Sequence, residues 1–354
     1  MKNISKYLGS LAVLLLCLAC GDNMVEKGPI KRSGQADVIS LDDDWRFIRY
    51  GLQADGTRVE EPAGMFEQAT DDSDWETLDV PHDFAIKGPF RMDLAGNTGR
   101  LPFQGIGWYR KTFTVDEADQ GKRFYVDFDG VMANAQVWLN GEYVGTWPYG
   151  YNSFRLDLTP FIQVGKENLL AVRTDTEKWD SRWYPGAGIY RHVWLVKTGQ
   201  VHVRHWGTKM ETTNLTEKTA DLHFTVEVEN HLNEETQAVV KTSVYELDSL
   251  DCLGKRVLRF DDQTLPLKAM SAGKVDLQKQ MDDCKRWDIE SPNRYMACVT
   301  IQVDGEETDR YYTPFGVRET SVSRDGFFLN GRRVEIKGVC NHHDLGALGA
   351  AFNR

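Results

Sequence analysis

After its first twenty residues the sequence has no Cys-x-x-Cys pair and no apolar stretch long enough to cross a bilayer, and nowhere does it carry a long basic run. With 42 Lys and Arg against 53 Asp and Glu, the formal net charge is −11, so no basic face is offered to a nucleic acid backbone. Of six cysteines, Cys17 and Cys20 fall in the opening segment, which leaves Cys252, Cys284, Cys298 and Cys340. None stands at a zinc-ligand spacing from another cysteine or a histidine, which argues against a structural zinc. A disulfide between Cys252 and Cys284 is conceivable in an oxidising compartment, but spacing does not fix one. Sustained helical periodicity is scarce too.

What is present begins with an export signature. Lys2 and Lys6 precede an apolar run, Tyr7 to Leu18, that ends in Ala19-Cys20-Gly21. That core is shorter than the roughly 20 residues a membrane span requires, and small residues follow it, so residues 1–19 are expected to be a signal peptide. Cys20 after Leu18-Ala19 resembles the bacterial lipoprotein signal, in which this cysteine carries the lipid; Cys17 stands where that signal has Leu, so plain secretion is the alternative. The expected location is the periplasm, or the outer membrane as a lipoprotein, with membrane contact only through the anchor.

Removing the signal leaves about 330 residues, too many for one core. Residues 20–40 are polar and without period, and are expected to form a tether. From Leu41 the chain turns to short alternating apolar runs separated by Gly, Asn, Asp and Pro. Phe124 to Asp129 alternates, Ala135 to Gly145 is a hairpin around Asn140-Gly141, and strands are expected at Phe154 to Leu158, Leu169 to Asp175 and His192 to Val196. The fold class is therefore mainly β. Residues 41–199 read as a jelly-roll sandwich and 200–317 as an immunoglobulin-like sandwich, with Leu222 to Glu229, Val239 to Tyr245 and Tyr295 to Val303 the clearest strands. The second sandwich gathers no convergent polar groups and reads as a spacer.

Eight tryptophans, Trp45, Trp75, Trp108, Trp138, Trp147, Trp179, Trp183 and Trp194, lie in the first sandwich. Trp138 and Trp194 sit inside strand patterns and are expected to pack in the sheets. Trp179 and Trp183 differ: they flank Asp180, Ser181 and Arg182 in a loop closed by Pro185-Gly186-Ala187-Gly188. A loop mixing aromatic, acidic and basic groups is a candidate site wall.

Residues 318–354 bring the last candidates. Asn330-Gly331 predicts a tight hairpin, and the run Val334 to Val339 predicts a strand that delivers Asn341, His342, His343 and Asp344 to a sheet edge. Such a cluster at a strand end suits an α/β barrel, which needs roughly 250 residues. Glu335 and Asp344 do not make a catalytic pair, because Glu335 sits well below the rim along the strand. His342 and His343 point to opposite faces of a strand, so pocket lining is favoured over metal binding.

Several segments in order resemble glycoside hydrolase family 2, which includes β-galactosidases, β-glucuronidases and β-mannosidases. They are Val80-Pro-His-Asp-Phe84, Gly107 to Phe113, Phe128 to Val131, Val137 to Gly141, Trp183 to Arg191, Phe315 to Arg318 and Asn341 to Asp344. The resemblance implies a jelly roll, an immunoglobulin-like domain and a catalytic (β/α)8 barrel, of which residues 318–354 would be the first hairpin and strand. It also implies retaining hydrolysis by two glutamates on later barrel strands, absent from this sequence, so the 354 residues are expected to be an inactive fragment of a β-galactosidase-type enzyme.

By the same resemblance His343 contacts the sugar and Asn341 and Asp344 shape the pocket, while Asp180 reaches it near a bound cation and Trp183 lines the loop. Gln104 falls where the family often has a substrate-binding Asn. The mechanism needs no cofactor, although the resemblance allows a sodium, magnesium or calcium ion at Asp180. The expected partner is a β-linked galactoside or related glycan, with a homo-oligomer allowed for the full-length form. Three rivals remain open: a family 2 glycosidase of other specificity, β-glucuronidase or β-mannosidase; a carbohydrate-binding module that holds glycans without cleaving them; and a surface scaffold.

Overall fold

The computed structural model of the chain describes residues 29–30, 32–53, 57–87, 105–177, 186–339 and 349–351. Among these the regular structure is β, interrupted by short 3-10 turns at Phe84–Ile86 and Glu117–Asp119. Two sandwiches follow one another along the chain.

In the first, a sheet ordered Phe154–Asp157, Arg123–Phe128, Val193–Thr198 and Val38–Ser40 faces a larger one. The larger sheet runs from Arg58–Val59 through Trp45–Leu52, Ile106–Thr114, Glu167–Asp175 and Ala135–Leu139 to Glu142–Trp147, and Glu76–Leu78 also pairs with Trp45–Leu52. Every pairing is antiparallel. Alternation puts Trp45, Phe47, Tyr109, Phe128, Leu139 and Leu170 between the sheets. Trp45 is fully buried, and its indole N–H donates to the Leu41 carbonyl at 2.6 Å, so the ring enters the core without an orphaned donor.

The sequence-predicted strands are present. Asn140 and Gly141 have φ of 55° and 88°, as a type I′ turn requires. Trp194 is buried, and Trp138 lies on the outer face of its sheet, stacked on Phe66 at 5.1 Å.

The second sandwich packs Val201–Thr213, Ala220–Asn230 and Ser271–Met281 against a sheet built on Thr236–Leu247, Arg294–Val303 and Glu306–Phe315. Ala220–Asn230 alternates buried and half-buried residues along its whole length, the signature of a strand with one face on a core. Cys252 and Cys284 are free thiols, so the conceivable disulfide between them is not formed. Cys284 is buried, which raises its thiol pKa.

Two readings of the sequence need correction. The stretch 20–40, expected as a tether, is structured over its described second half. Gly34–Gln35 pairs with Glu306–Phe315 of the second sandwich, and Val38–Ser40 pairs with Val193–Thr198 of the first. The Ile30 N–H also donates to the Asp251 carbonyl at 2.8 Å, so these residues strap both sandwiches. Lack of hydrophobic period concealed this because the strap pairs through its backbone and through scattered side chains, Ile30, Arg32 and Gln35, that form no alternating pattern.

The second correction is at the other end. Gly326–Leu329 and Arg332–Val334 form the expected hairpin, with Asn330 and Gly331 at φ of 50° and 75°, and Thr320–Ser323 adds a third strand. The strand expected to continue to Val339 stops at Val334. Residues 335–339 pair with nothing among the described residues, and Ile336 and Val339 are 75% and 91% exposed. A parallel barrel strand exists only between neighbours that take its N–H and C=O groups.

Candidate functional site

Asn341, His343, Asp344, Asp180, Trp183, Gln104 and Cys20, the residues named from sequence, all lie outside the described residues. What the structure brings together is a frame made by described segments next to positions 180–183 and 341–344 in sequence.

That frame is organised by Asp83. It follows cis Val80-Pro81 and caps the short turn Phe84–Ile86. Its side chain is buried, and its carboxylate accepts three backbone N–H groups at 2.9 Å each: Ala85 and Ala187 on Oδ1, and Ala350 on Oδ2. Three stretches far apart in sequence are thus fastened to one carboxylate. Hydrogen bonds to a charged acceptor are the stronger kind, and leaving a buried N–H unmade is costly.

Close approach is needed for this, and the glycines provide it. A Cβ at Gly186 would sit 2.9 Å from the Ala350 Cβ and 3.0 Å from Asp83 Oδ2. Gly349, at φ 59°, has no room for one either, since it would run into Ile86 and the Asp83 carboxylate.

Around the clamp the loops hold one another. The His82 N–H donates to the Ile189 carbonyl at 2.7 Å and the Phe84 N–H to Ala187 at 2.9 Å. Met132 and Gly188 exchange both backbone bonds, at 2.9 and 2.8 Å, beside the cis Met132-Ala133 peptide. Ala350 then packs with Met132, Ala133 and Tyr190, and the Tyr190 hydroxyl donates to the Gly150 carbonyl at 2.7 Å. Tyr149, half exposed, meets Tyr151 edge to face at 5.4 Å. The Asp175 N–H donates to the Ala133 carbonyl at 2.9 Å, so the strand Glu167–Asp175 is tied at its end to the same cluster.

The frame also holds a buried acid–base pair. His82 Nδ1 lies 2.9 Å from the Tyr109 hydroxyl. Burial drives the imidazole pKa down to about 4, Lys87 adds to the effect and Glu76 opposes it. Tyr109 is fully buried, which pushes its phenol well above its usual range, although the Ile189 N–H donates to it. The direction of this hydrogen bond follows the imidazole tautomer. Nε2 has no hydrogen-bond partner among the described residues.

No described residue of this frame forms a metal-ligand group. Elsewhere, His202, Glu229 and His231 bring one ligand atom each within 4.8 Å. The two imidazoles stack nearly parallel, at 5° and 5.1 Å, so their in-plane lone pairs run side by side rather than converging on one ion.

Sequence reasoning quoted Val80 to Phe84 without giving Asp83 a role. A hint was available, since an Asp before a short turn is a cap signal. Its other two donors come from positions 187 and 350, and no local pattern reveals those.

Comparison with known proteins adds the lineage. Residues 38–199 match the description "Glycosyl hydrolases family 2, sugar binding domain", and residues 201–318 match "Glycosyl hydrolases family 2". The chain is 43% identical over 317 residues to the β-galactosidase BoGH2A of Bacteroides ovatus, covering 88% of this chain and 35% of that protein. It is 33% identical over 328 residues to a putative β-glucuronidase of Formosa agariphila, covering 92% and 29%. A crystal structure of a glycosyl hydrolase family 2 member from Bacteroides cellulosilyticus superposes with a TM-score of 0.77 at 33% identity, covering 89% of this chain and 41% of that one. The chain spans about a third of the length of the curated relatives it matches.

Proposed function

The chain belongs to glycoside hydrolase family 2, and on that premise we propose that the whole protein is an exported, retaining exo-glycosidase that removes terminal β-linked galactose from a glycan. In such an enzyme two carboxyls about 5 to 5.5 Å apart share the work, one as acid and base, the other as nucleophile. We assign both to a barrel that begins in the segment after residue 318.

The observation that carries this reading is the bond from the Ala350 N–H to Asp83. Residue 350 follows the Asn341 to Asp344 cluster by six positions, and Gly186, which crowds the same carboxylate, follows Asp180 by six. Both candidate site segments therefore lead to one clamp on the jelly-roll frame. In this reading His343 contacts the sugar, Asn341 and Asp344 shape the pocket, and Asp180 and Trp183 supply the wall from the first sandwich, with any cation held at Asp180. No cofactor enters the bond-breaking steps.

The similarity to a β-galactosidase at 43% identity favours galactose. The similarity to a putative β-glucuronidase at 33% supports a second specificity, glucuronic acid. Rates of the full-length gene product on nitrophenyl β-galactoside and β-glucuronide separate the two. A larger kcat/KM on the galactoside is expected; the reverse ratio replaces galactose by glucuronate, and no turnover of either or of a nitrophenyl β-mannoside rejects the hydrolase.

A further inference from the structure

A cavity of about 500 Å³ lies between the two sandwiches, walled by the strap at Arg32, by Asp127, Arg155 and Trp194 of the first sandwich, and by Trp206 and Tyr311 of the second. That volume suits a small ligand. It shares none of these residues with the Asp83 frame.

Two features mark it as a binding site. One is Trp206, which is 67% exposed and held at φ 57° where the pairing of Val201–Thr213 with Ala220–Asn230 shifts register. A bulky side chain at positive φ is uncommon, and here the bulge turns a large ring outward at a cavity wall. His205 stacks on it at 4.4 Å, which supports the ring from one side.

The other feature is the pairing of the charges. Arg32 reaches Asp127 at 2.7 Å and Asp129 at 3.3 Å, Arg155 grips Asp127 through both its Nε and Nη2 at 2.6 and 2.9 Å, and Arg294 meets Asp251 at 2.7 Å. Three arginines are matched by three aspartates. His205 has its pKa lowered to about 4 by burial, with Arg155 adding to the effect, so it brings no charge at neutral pH. Among the described residues, a wall with balanced charge has no cation to spare for an anionic ligand. It does present planar donors and acceptors side by side, which vicinal hydroxyls can bridge, giving to a carboxylate and accepting from a guanidinium.

We propose that this cleft binds a short neutral sugar, with the Trp206 ring packed on one pyranose face and the Arg/Asp pairs taking its hydroxyls. The site holds a glycan without cleaving it, as a second contact beside the catalytic one. It goes beyond the hydrolase reading and is tested on the 354-residue chain itself, so its failure leaves the turnover assay of the full-length product untouched.

The experiment is calorimetric titration with lactose of the unmodified chain, Trp206→Ala and Tyr143→Ala, the last changing an exposed aromatic away from the cavity. Saturable binding is expected, weakened by about tenfold or more in Trp206→Ala and unchanged in Tyr143→Ala. Trp206 is mostly exposed, so Trp206→Phe keeps a smaller ring on the same fold and should bind at an intermediate strength. Equal lactose affinity in Trp206→Ala overturns the proposal, and tighter binding of galacturonate than of galactose overturns the neutral assignment.

Discussion

Asp83 accepts the backbone N–H of Ala350 at 2.9 Å across 267 positions of sequence, with the same carboxylate holding Ala85 and Ala187 through its other oxygen. This division between the two oxygens makes the clamp separable by mutation. Asp83→Asn can keep an acceptor toward Ala85 and Ala187 while turning its amide N–H groups toward Ala350, where donor would face donor. Hydrogen exchange at Ala350 should then speed up while Ala85 and Ala187 stay protected. Asp83→Ala strands three buried N–H groups and is expected to lower unfolding stability in urea by about 3 kcal/mol.

Buried neutral histidines make stability pH-dependent. The folded pKa of His82, about 4, lies below its unfolded value of 6.5, so as pH falls through that window the unfolded chain takes a proton that the folded chain refuses. Stability is fully present above pH 6.5 and is lost as pH falls toward 4. His202, whose pKa is driven to about 3 by burial, with His231 adding to the effect, acts in the same direction and further down. Replacing His82 by Gln removes its share. The stability of wild type relative to His82→Gln should drop by about 3 kcal/mol between pH 7 and pH 4, measured by urea unfolding. A constant difference would show that His82 titrates normally.

Much of the fold was legible because strand alternation and Asn-Gly turns are local. Phe124 to Asp129, the Asn140-Gly141 hairpin and the Asn330-Gly331 hairpin appear as read. The strap was not legible, since Gly34 and Gln35 join the second sandwich by backbone bonds to Tyr312 and Tyr311, far along the chain. Trp206 drew no notice in sequence, because its exposure follows from a register shift that depends on Ala220–Asn230. The frame at Asp83 is likewise a product of tertiary approach. The cluster at Asn341 to Asp344 was read from the polar run after an expected strand, and its roles from family resemblance; it lies outside the described residues together with Asp180 and Trp183.

The residues on either side of the Asn330-Gly331 hairpin include exposed apolar side chains, Val322 at 81%, Ile336 at 75% and Val339 at 91%. Apolar surface next to unpaired backbone promotes association between chains. A chain ending at Arg318 should stay soluble at higher concentration than one ending at Arg354. Sedimentation of both after overnight incubation checks this, and equal solubility would count against it.

Export and anchoring are tested at Cys20. If this residue carries the lipid, expression in a bacterium fed labelled palmitate should label the native protein, and Cys20→Ala should lose the label and leave the membrane fraction. Label retained in Cys20→Ala would place the modification elsewhere.

The claim on which the rest depends is that the frame held by Asp83 is a wall of the glycosidase site. Its most direct test is kcat/KM of the full-length product on nitrophenyl β-galactoside, with and without Asp83→Asn, beside the melting temperature of each. A fall of about tenfold or more in kcat/KM, with a melting temperature lowered by only a few degrees, is expected. Full activity in a variant whose Ala350 amide exchanges freely would contradict the claim.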